Sequence, residues 1–298
     1  MKTSYRAFAR LAANPHTGVF LRPAVFHFRH AVADNPVELA KMHELQAHVP
    51  GFVHDPALIR HHGVNPDAQV TDAYSYLAPM VDTDRYLAWL QREALAAGCR
   101  LISRRISGTL REQEHRLRDE LGADAIVNCT GLGSIELAAD PALDPPPGSP
   151  DPRGQRQHHH APHHHRPRRG PRRHQRHPGH DLHRAPGRGP APPRRTRRTR
   201  RRDTDIDLNN HQPLRDALAR CQQFLPALAG AAIDQADPVR AGLRPFRTHN
   251  VRLETEPGTR IIHNYGHGGA GVTLSWGRAE DAAQLTEHLL ADRHPAAA

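Results

Sequence analysis

The sequence predicts an α/β fold in which helices and strands alternate along two stretches of the chain. Three observations carry this prediction. Helical periodicity ends at glycines, short apolar runs follow those helices, and a last strand leads through a glycine-rich turn into a long helix. The 298 residues correspond to about two domains at ~150 residues each. We divide them into residues 1–144, 145–202 and 203–298, of which the first and the last have globular composition.

The first predicted helices lie in residues 1–144. Residues 39–47 form a short helix-like stretch. Asp82 is the expected N-cap of a longer helix, in which Tyr86 and Leu90 belong to the apolar face. Gly98 lies where a glycine is expected just after a helix.

Two strands and one more helix are predicted further along this stretch. Residues 99–102 have the composition of a short strand. Thr109 is the expected cap of a charged helix that ends at Gly122. Residues 123–128 then resemble a buried strand, which stops at Thr130. The order helix, strand, helix, strand favours an α/β layer.

The last stretch, residues 203–298, returns to globular composition. One helical face is predicted with Asn210 near its cap; its members are Leu214, Leu218, Cys221 and Leu225. Residues 239–244, 251–254 and 260–265 are predicted strands. A long helix is predicted from Val272 to about Ala291.

The middle segment, residues 145–202, is of low complexity and rich in Arg, His and Pro. Residues 151–202 contain 17 arginines and two aspartates, a net charge of +15, against +10 for the whole chain. Apolar side chains are nearly absent there, so burial cannot offset the ~1–2 kcal/mol per residue that backbone ordering costs. We therefore predict that the segment is disordered.

Composition also limits the classes of protein to consider. No run of 18 apolar residues occurs, which argues against a membrane-spanning helix. Three widely spaced cysteines argue against a disulfide framework and for a reducing compartment. No apolar signal segment follows Met1, so we expect a cytoplasmic location.

The sharpest motif is the turn Gly266–Gly271, which satisfies G-x-G-x-x-G between a predicted strand and a predicted helix. Glycines allow close backbone approach, and the N–H groups at a helix start attract negative charge. A dinucleotide fingerprint would also need a following parallel strand and an acidic residue ~20 positions on. Here the predicted helix is followed by Asp292, Arg293, His294 and the end of the sequence, so a fingerprint in the usual sense is not expected, while a cofactor or oxyanion site and a plain strand-to-helix turn both stay open.

Residues 262–273 (IHNYGHGGAGVT) resemble the C-terminal signature of the D-amino-acid oxidase family. Two further blocks resemble that family in the same order, residues 127–131 (VNCTG) and residues 242–247 (GLRPFR). The resemblance covers most of residues 3–144 and 203–292. It implies a partial FAD-binding domain with part of a substrate domain in residues 1–144, and the end of the substrate domain with an FAD-contacting strand, turn and helix in residues 203–298.

The resemblance implies an FAD-dependent oxidase that moves the Cα hydride of a D-amino acid to flavin N5. The products are a 2-oxo acid, ammonia and, after reoxidation by O₂, hydrogen peroxide. Arg244 would bind the substrate carboxylate through two parallel hydrogen bonds, and the Gly269 carbonyl would accept from the substrate amine. The implied FAD contacts are Ile106, Thr130, Gly268, Gly269, Ala270, Gly271, Val272 and Thr273. The implied partners are a D-amino acid and O₂, with a homodimer left open and no metal, membrane or specific nucleic acid.

The sequence departs from the family pattern in two places. Its start resembles a point ~50 residues inside that pattern, so the resemblance implies that the first βαβ unit, with its phosphate-binding glycine loop, is missing. Residues 145–202 match nothing in the family and contain no aromatic side chain of the FWY type. Reading a GC-rich gene out of frame would produce such a segment, a hypothesis that resequencing of the DNA tests.

Rival interpretations of single features stay open. The Arg-rich segment has the charge to bind nucleic acid non-specifically, so a non-catalytic homologue that does only this is an alternative. The histidine triplets at 158–160 and 163–165 have the composition of a metal-binding tract. Without the family context Arg244 would be a surface ion pair, and His263 and His267 turn histidines bonded to backbone. Within the family, D-aspartate oxidase is the neighbouring alternative.

Overall fold

The computed structural model describes residues 2–143, 206–234 and 238–291. The predicted disordered segment 145–202, its arginines and both histidine triplets lie outside these described residues. The described chain is a mixed α/β fold with two three-stranded sheets, one antiparallel and one mixed. The predicted presence of helices and sheets is therefore confirmed, while the division into domains stays a prediction.

The first sheet has the strand order β1-β3-β2 and is antiparallel throughout. Its strands are β1 (Val19–Phe28), β2 (Val53–His54) and β3 (Asp72–Val81). Sequence analysis missed all three. The two long strands each contain a proline, Pro23 in β1 and Pro79 in β3, and β2 has only two residues. Proline cannot donate to a ladder and is confined to edges. The structure accommodates both, since β1 is an edge strand and β2 pairs with β3 only near Tyr74 and Ser75.

One face of this sheet is aromatic and is covered by helix α2 (Pro36–His48). Tyr74 is 2 % exposed and lies among the rings of Phe26, Phe28 and Phe52, with centroid distances of 5.1–5.4 Å. Met42 of α2 belongs to the same buried cluster. The short helix predicted over residues 39–47 is therefore confirmed and is longer than predicted.

Helices α1 (Lys2–Leu11), α3 (Ala57–His61) and α4 (Thr83–Ala96) belong to the same half of the chain. The predicted boundaries of α4 are confirmed. The Asp82 carboxylate accepts a hydrogen bond from the Arg85 N–H at 3.3 Å, and Gly98 follows the helix with φ of +89°.

The second sheet has the strand order β4-β6-β5. Its strands are β4 (Ile126–Asn128), β5 (Arg252–Thr255) and β6 (Ile261–Tyr265), with β4 parallel and β5 antiparallel to β6. The remaining helices are α5 (Leu110–Leu121), α6 (Ser134–Leu137), α7 (Gln212–Phe224) and α8 (Gly271–Ala291). Leu110 and Leu117 of α5 pack against Ile261 of β6 in one apolar cluster.

The predictions for this half are confirmed for α5, α7, α8, β5 and β6. Thr109 accepts from the Glu112 N–H at 3.3 Å, and Gly122 ends α5 with φ of +62°. His211, rather than Asn210, occupies the N-cap position of α7.

Three strand predictions need correction. Residues 99–102 form no strand, and Leu101 and Ile102 are 69 % and 51 % exposed. Residues 239–244 form none either; isolated bridges begin only at Phe246 and Arg247, after Pro245, which has no N–H to donate. The strand predicted over 123–128 is shorter, and its middle residue Val127 is exposed. Local composition favours strands at the first two places, but no neighbouring strand pairs with them among the described residues.

Helix α8 joins the two halves of the described chain. Trp276 packs with the buried cluster of Phe8, Val19 and Tyr86. The Gly277 N–H donates a hydrogen bond to the Ser4 hydroxyl of α1 at 3.0 Å. Neither α8 nor any other helix in the described ranges combines the length and apolar character that a membrane span requires.

Candidate functional site

Three chain segments meet where the parallel strands β4 and β6 end. Gly131 follows β4 with φ of +56°, and a Cβ placed there would lie 3.7 Å from Pro245. The Gly268 N–H, after β6, donates to the Pro245 carbonyl at 3.0 Å. Pro245 therefore lies between the two glycine turns. Ligands of parallel α/β sheets bind at this carboxyl end of the strands.

Arg244 lies directly on the glycine turn. A Cβ placed at Gly269 would lie 3.4 Å from Nε and 3.5 Å from Cζ of Arg244, so the guanidinium occupies space that a larger residue would take. Arg244 is exposed and forms no side-chain hydrogen bond or ion pair with the described residues. The alternative of a surface ion pair is therefore not realised within those ranges.

The start of α8 completes this edge. Gly271 begins the helix, which is 21 residues long, and Gly269, Val272 and Thr273 are exposed there. The first N–H groups of a helix have no intrahelical acceptor, and the helix dipole places partial positive charge beside them. Together with the Arg244 guanidinium, this end of the sheet is suited to hold negative charge. Phe246 and Val272 add exposed apolar surface, at 43 % and 41 % exposure.

A buried polar chain runs from the core to the turn after β4. The Asn128 amide oxygen accepts from the Thr130 hydroxyl at 2.7 Å, and its Nδ2 lies 3.1 Å from Nδ1 of His263. Since an amide nitrogen can only donate, His263 Nδ1 is the acceptor and Nε2 bears the proton. Nε2 then donates to the Glu256 carboxylate at 3.1 Å, which Arg111 also contacts at 2.8 Å. Thr130 is thus oriented by fully buried side chains.

Burial lowers the pKa of His263, and the charge of Arg252 lowers it further, although Glu256 acts in the opposite direction. His263 is therefore neutral in the folded protein at pH 7. The interpretation of His263 as a turn histidine bonded to backbone is wrong, because it lies in β6 and its partners are side chains. His267 does lie in the turn, where burial, and secondarily Arg278, lowers its pKa.

A second buried network is centred on Asp140. Its Oδ2 accepts from Nε of Arg247 and from the Tyr265 hydroxyl, both at 2.8 Å, and its Oδ1 accepts from the Ala142 N–H at 2.9 Å. Arg252 donates to the Tyr265 oxygen at 3.0 Å. Burial alone would raise the pKa of Asp140, but these hydrogen bonds hold it below its usual value. Burial raises the pKa of Tyr265 to about 12.

The structure brings most of the predicted site residues together. Arg244 and Gly269 are in contact, and the exposed Thr130 precedes Gly131, which packs on Pro245. The side chain of Ile106 packs against the apolar cluster of α5 and β6, so only its backbone is left for the predicted FAD contact. The roles of the predicted residues toward FAD and substrate stay predictions.

Sequence reasoning missed the residues that support the site, above all Asp140, Asn128 and Tyr265. A weak signal did exist for Arg247. In an extended segment, residues three apart face opposite sides, so Arg244 and Arg247 are expected to point in opposite directions. No local signal marks Asp140, because its two side-chain partners lie 107 and 125 residues away in sequence.

A metal centre and a second cavity are the other kinds of site that the described residues could form. No group of three or more His, Cys, Asp or Glu side chains there is arranged to hold a metal ion. An open groove of about 370 Å³ lies between α1 and β1, away from the glycine turn, and is lined by Ala9, Ala12, Ala13, Phe20, Leu21 and Arg22.

Comparison with known proteins identifies relatives of the chain. The model of a family described as FAD dependent oxidoreductase (DAO) matches residues 1–285. A D-amino-acid oxidase of Rubrobacter xylanophilus is 33% identical over 285 residues, which are 95% of this chain and 76% of that protein. A D-amino-acid oxidase of Streptomyces coelicolor is 36% identical over 220 residues, 70% of this chain and 58% of that protein. A D-aspartate oxidase of Homo sapiens is 33% identical over 207 residues, 67% of this chain and 52% of that protein.

Proposed function

Because this chain belongs to the family of FAD-dependent oxidoreductases, we propose that it oxidises D-amino acids. The overall reaction converts a D-amino acid, O₂ and water into a 2-oxo acid, ammonia and hydrogen peroxide. The names of two relatives support this substrate class. The chain spans between about half and three quarters of the length of the relatives it matches, so the activity of the whole protein is part of the proposal.

The observation that carries the proposal is the Arg244 guanidinium, which lies on the glycine turn and pairs with no side chain among the described residues. A planar guanidinium forms two parallel, charge-assisted hydrogen bonds with a carboxylate. Arg244 thereby orients the amino acid, and the Gly269 carbonyl accepts a hydrogen bond from its amine. These two contacts fix the carboxylate and the amine. The hydrogen and the side chain on Cα then exchange places between the two enantiomers, so the Cα–H bond points toward the flavin in only one of them.

The residues at the ends of β4 and β6 fit a flavin ring. The turn bears no side chain at Gly268, Gly269 or Gly271, so its backbone allows close approach, and the exposed Phe246 ring lies beside it, 3.4 Å from where a Cβ of Gly268 would be. We assign the flavin contacts to the backbone of Ile106, to Thr130 and to the run from Gly268 through Ala270, Gly271 and Val272 to Thr273. FAD, when bound, supplies the acceptor for the substrate hydride and transfers the electrons to O₂.

The chain's own groups prepare that chemistry. The N–H groups at the start of α8 stabilise negative charge that develops on a bound ring. The Asn128 amide, held by neutral His263, keeps its oxygen toward Thr130, so the Thr130 hydroxyl is held in place by Asn128 and by the Ser134 hydroxyl, 2.9 Å away. Removal of the Cα hydrogen as a hydride needs no general base, so no residue of the site is assigned that role.

A D-aspartate-preferring oxidase is the second candidate. The human D-aspartate oxidase supports this candidate, because its sequence identity to this chain, 33% over 207 residues, equals that of the Rubrobacter protein, 33% over 285 residues. Both candidates use the same carboxylate contact at Arg244 and differ in what receives the substrate side chain.

The test is purification of the protein with FAD, followed by visible absorption and peroxide release. We expect bound flavin and peroxide from D-alanine or D-aspartate, with none from the L-enantiomers. The ratio of the two D-substrates separates the candidates. A protein that retains no flavin and releases no peroxide would contradict both and favour the non-catalytic homologue.

A further inference from the structure

Asp140 is a buried carboxylate outside the proposed substrate contacts. It is 4 % exposed, and a single oxygen, Oδ2, accepts hydrogen bonds from both Arg247 and Tyr265 at 2.8 Å. Two donors on Oδ2, one of them a guanidinium, and the Ala142 N–H on Oδ1 favour the ionised form of the carboxyl group. The lowered pKa of Asp140 agrees with this. Its charge is therefore neutralised by Arg247 in the protein interior.

The two side-chain donors come from the two segments that form the site. Arg247 belongs to the segment that begins at Arg244, and Tyr265 ends β6 immediately before the glycine turn. These segments also lie against each other, because a Cβ at Gly266 would come within 3.0 Å of the Arg247 Cβ. Phe246 and His267 form a bridge between them. Asp140 thus bonds to both sides of the contact that carries Arg244.

The backbone after Asp140 is fixed on the Arg244 segment. The Thr248 N–H donates to the Ala142 carbonyl at 2.9 Å, and Leu143 bridges to Arg247. Ala139, immediately before Asp140, has φ of +45°, a conformation unfavourable for a residue with a Cβ. Such backbone is retained where surrounding contacts determine it. The segment 139–143 is therefore shaped to present the Asp140 carboxylate.

We propose that Asp140 is a positioning residue for substrate binding, which holds the Arg244 segment against the glycine turn so that the Arg244 guanidinium faces the substrate carboxylate. This inference rests on the proposed function of Arg244. Removing the charge of Asp140 leaves the Arg247 and Tyr265 donors buried without a full acceptor. The Arg244 segment then shifts to satisfy them, and the carboxylate contact weakens.

The first experiment compares Asp140→Asn with Glu120→Gln in the flavin-loaded protein. Glu120 is the matched control, because it also accepts from two side-chain donors, here Arg104 and Arg116, but on the exposed face of α5. KM and kcat are measured for a D-amino acid and for its carboxamide, which lacks the charged carboxylate. We expect Asp140→Asn to raise KM for the acid about tenfold with little change in kcat, since uniform binding is lost.

The carboxamide separates positioning from a general structural defect. Asp140→Asn should reduce the preference for the acid over the amide, whereas Glu120→Gln should leave it unchanged. A fall in kcat/KM that is equal for acid and amide would overturn the proposal. If Asp140→Asn does not fold, Tyr265→Phe removes one donor while the ion pair remains, and it should shift the same preference less strongly.

The second measurement does not depend on activity. Hydrogen exchange of the flavin-loaded protein without substrate should be faster in Asp140→Asn than in the unmodified protein at the Gly268 and Thr248 amides, which join the three segments. Unchanged exchange together with an unchanged acid preference would overturn the proposal. Failure of the unmodified protein to oxidise any D-amino acid would instead contradict the proposed function, and exchange at these amides would then decide alone whether Asp140 positions the segment.

Discussion

The two sheets of the described chain are stabilised in different ways. The first sheet, β1-β3-β2, buries an aromatic cluster around Tyr74, in which contact area and ring packing dominate. The second sheet, β4-β6-β5, buries His263, Asn128 and Tyr265, each with a specific hydrogen-bond partner. Apolar packing tolerates rearrangement, whereas a buried polar network has few satisfactory arrangements.

This difference accounts for the location of the proposed binding site. The glycine turns and Arg244 lie at the end of the second sheet, where the buried Asp140 and Asn128 fix the neighbouring segments. A site needs groups that are held within a fraction of an ångström, which directional hydrogen bonds supply. The first sheet supplies stability to the described fold and no directional contact to the glycine turn.

The largest expected effect lies in the first sheet. Tyr74→Ala removes the centre of the aromatic cluster and should lower the free energy of unfolding by about 4 kcal/mol. Tyr74→Phe keeps the ring and is the control. Chemical denaturation measures both. Equal losses for the two variants would show that the hydroxyl, rather than ring packing, stabilises this sheet.

The next effect concerns activity rather than stability. Arg244→Ala should lower kcat/KM by about a hundredfold, or ~3 kcal/mol, because a charge-assisted carboxylate contact is lost. Arg244→Lys should recover part of this, since it keeps the charge without the planar fork. The melting temperature should not change, because the exposed guanidinium has no partner among the described residues. Unchanged kcat/KM would contradict the proposed role.

Acid should destabilise the second sheet more than the first. His263 has a lowered folded pKa, so the unfolded chain binds more protons once the pH falls below about 6.5. Stability is therefore lost on acidification, by up to ~1.4 kcal/mol per pH unit for one fully buried histidine. His263→Gln should flatten this slope, measured as melting temperature between pH 8 and pH 5.

His27→Gln is the matched change in the first sheet. Burial, and secondarily His62, lowers the pKa of His27, but its ring is less buried than that of His263. Its replacement should remove a smaller part of the slope. A larger effect at His27 would mean that the first sheet controls the acid sensitivity.

The smallest effects should be equal in the two halves. Asp82→Ala removes the cap of α4 beside the first sheet, and Thr109→Ala removes the cap of α5 beside the second. Each should cost about 1 kcal/mol of stability, because one N–H at the helix start loses its acceptor. Denaturant midpoints of both variants and of Asp82→Asn, which keeps an acceptor, test this. Unequal losses would indicate that tertiary contacts, in addition to the cap, stabilise the start of one of the two helices.

The sequence predicts the local features of this fold well. Helix caps and terminating glycines depend only on residues next to the helix ends. The ends of α4 and α5 are therefore predicted to within one or two positions, from Asp82 and Gly98 for α4 and from Thr109 and Gly122 for α5. The glycine turn before α8 and its contact with Arg244 follow from motifs, which carry family information.

Features that depend on distant partners were not predictable. The long strands β1 and β3 tolerate Pro23 and Pro79 only because of their places in the sheet. Residues 99–102 have strand composition but no strand beside them among the described residues. The role of Asp140 depends on Arg247 and Tyr265, more than a hundred residues further along.

The hydrogen bond between Ser4 and Gly277 has a consequence for how the protein is made. A chain emerges from the ribosome with its N-terminal end first. Helix α1 is therefore exposed long before its partner helix α8 has been synthesised. Phe8 must wait for Trp276 to complete its apolar surroundings. The aromatic sheet can assemble early during synthesis, whereas the edge that carries Arg244 and the glycine turn is complete only after α8 has emerged.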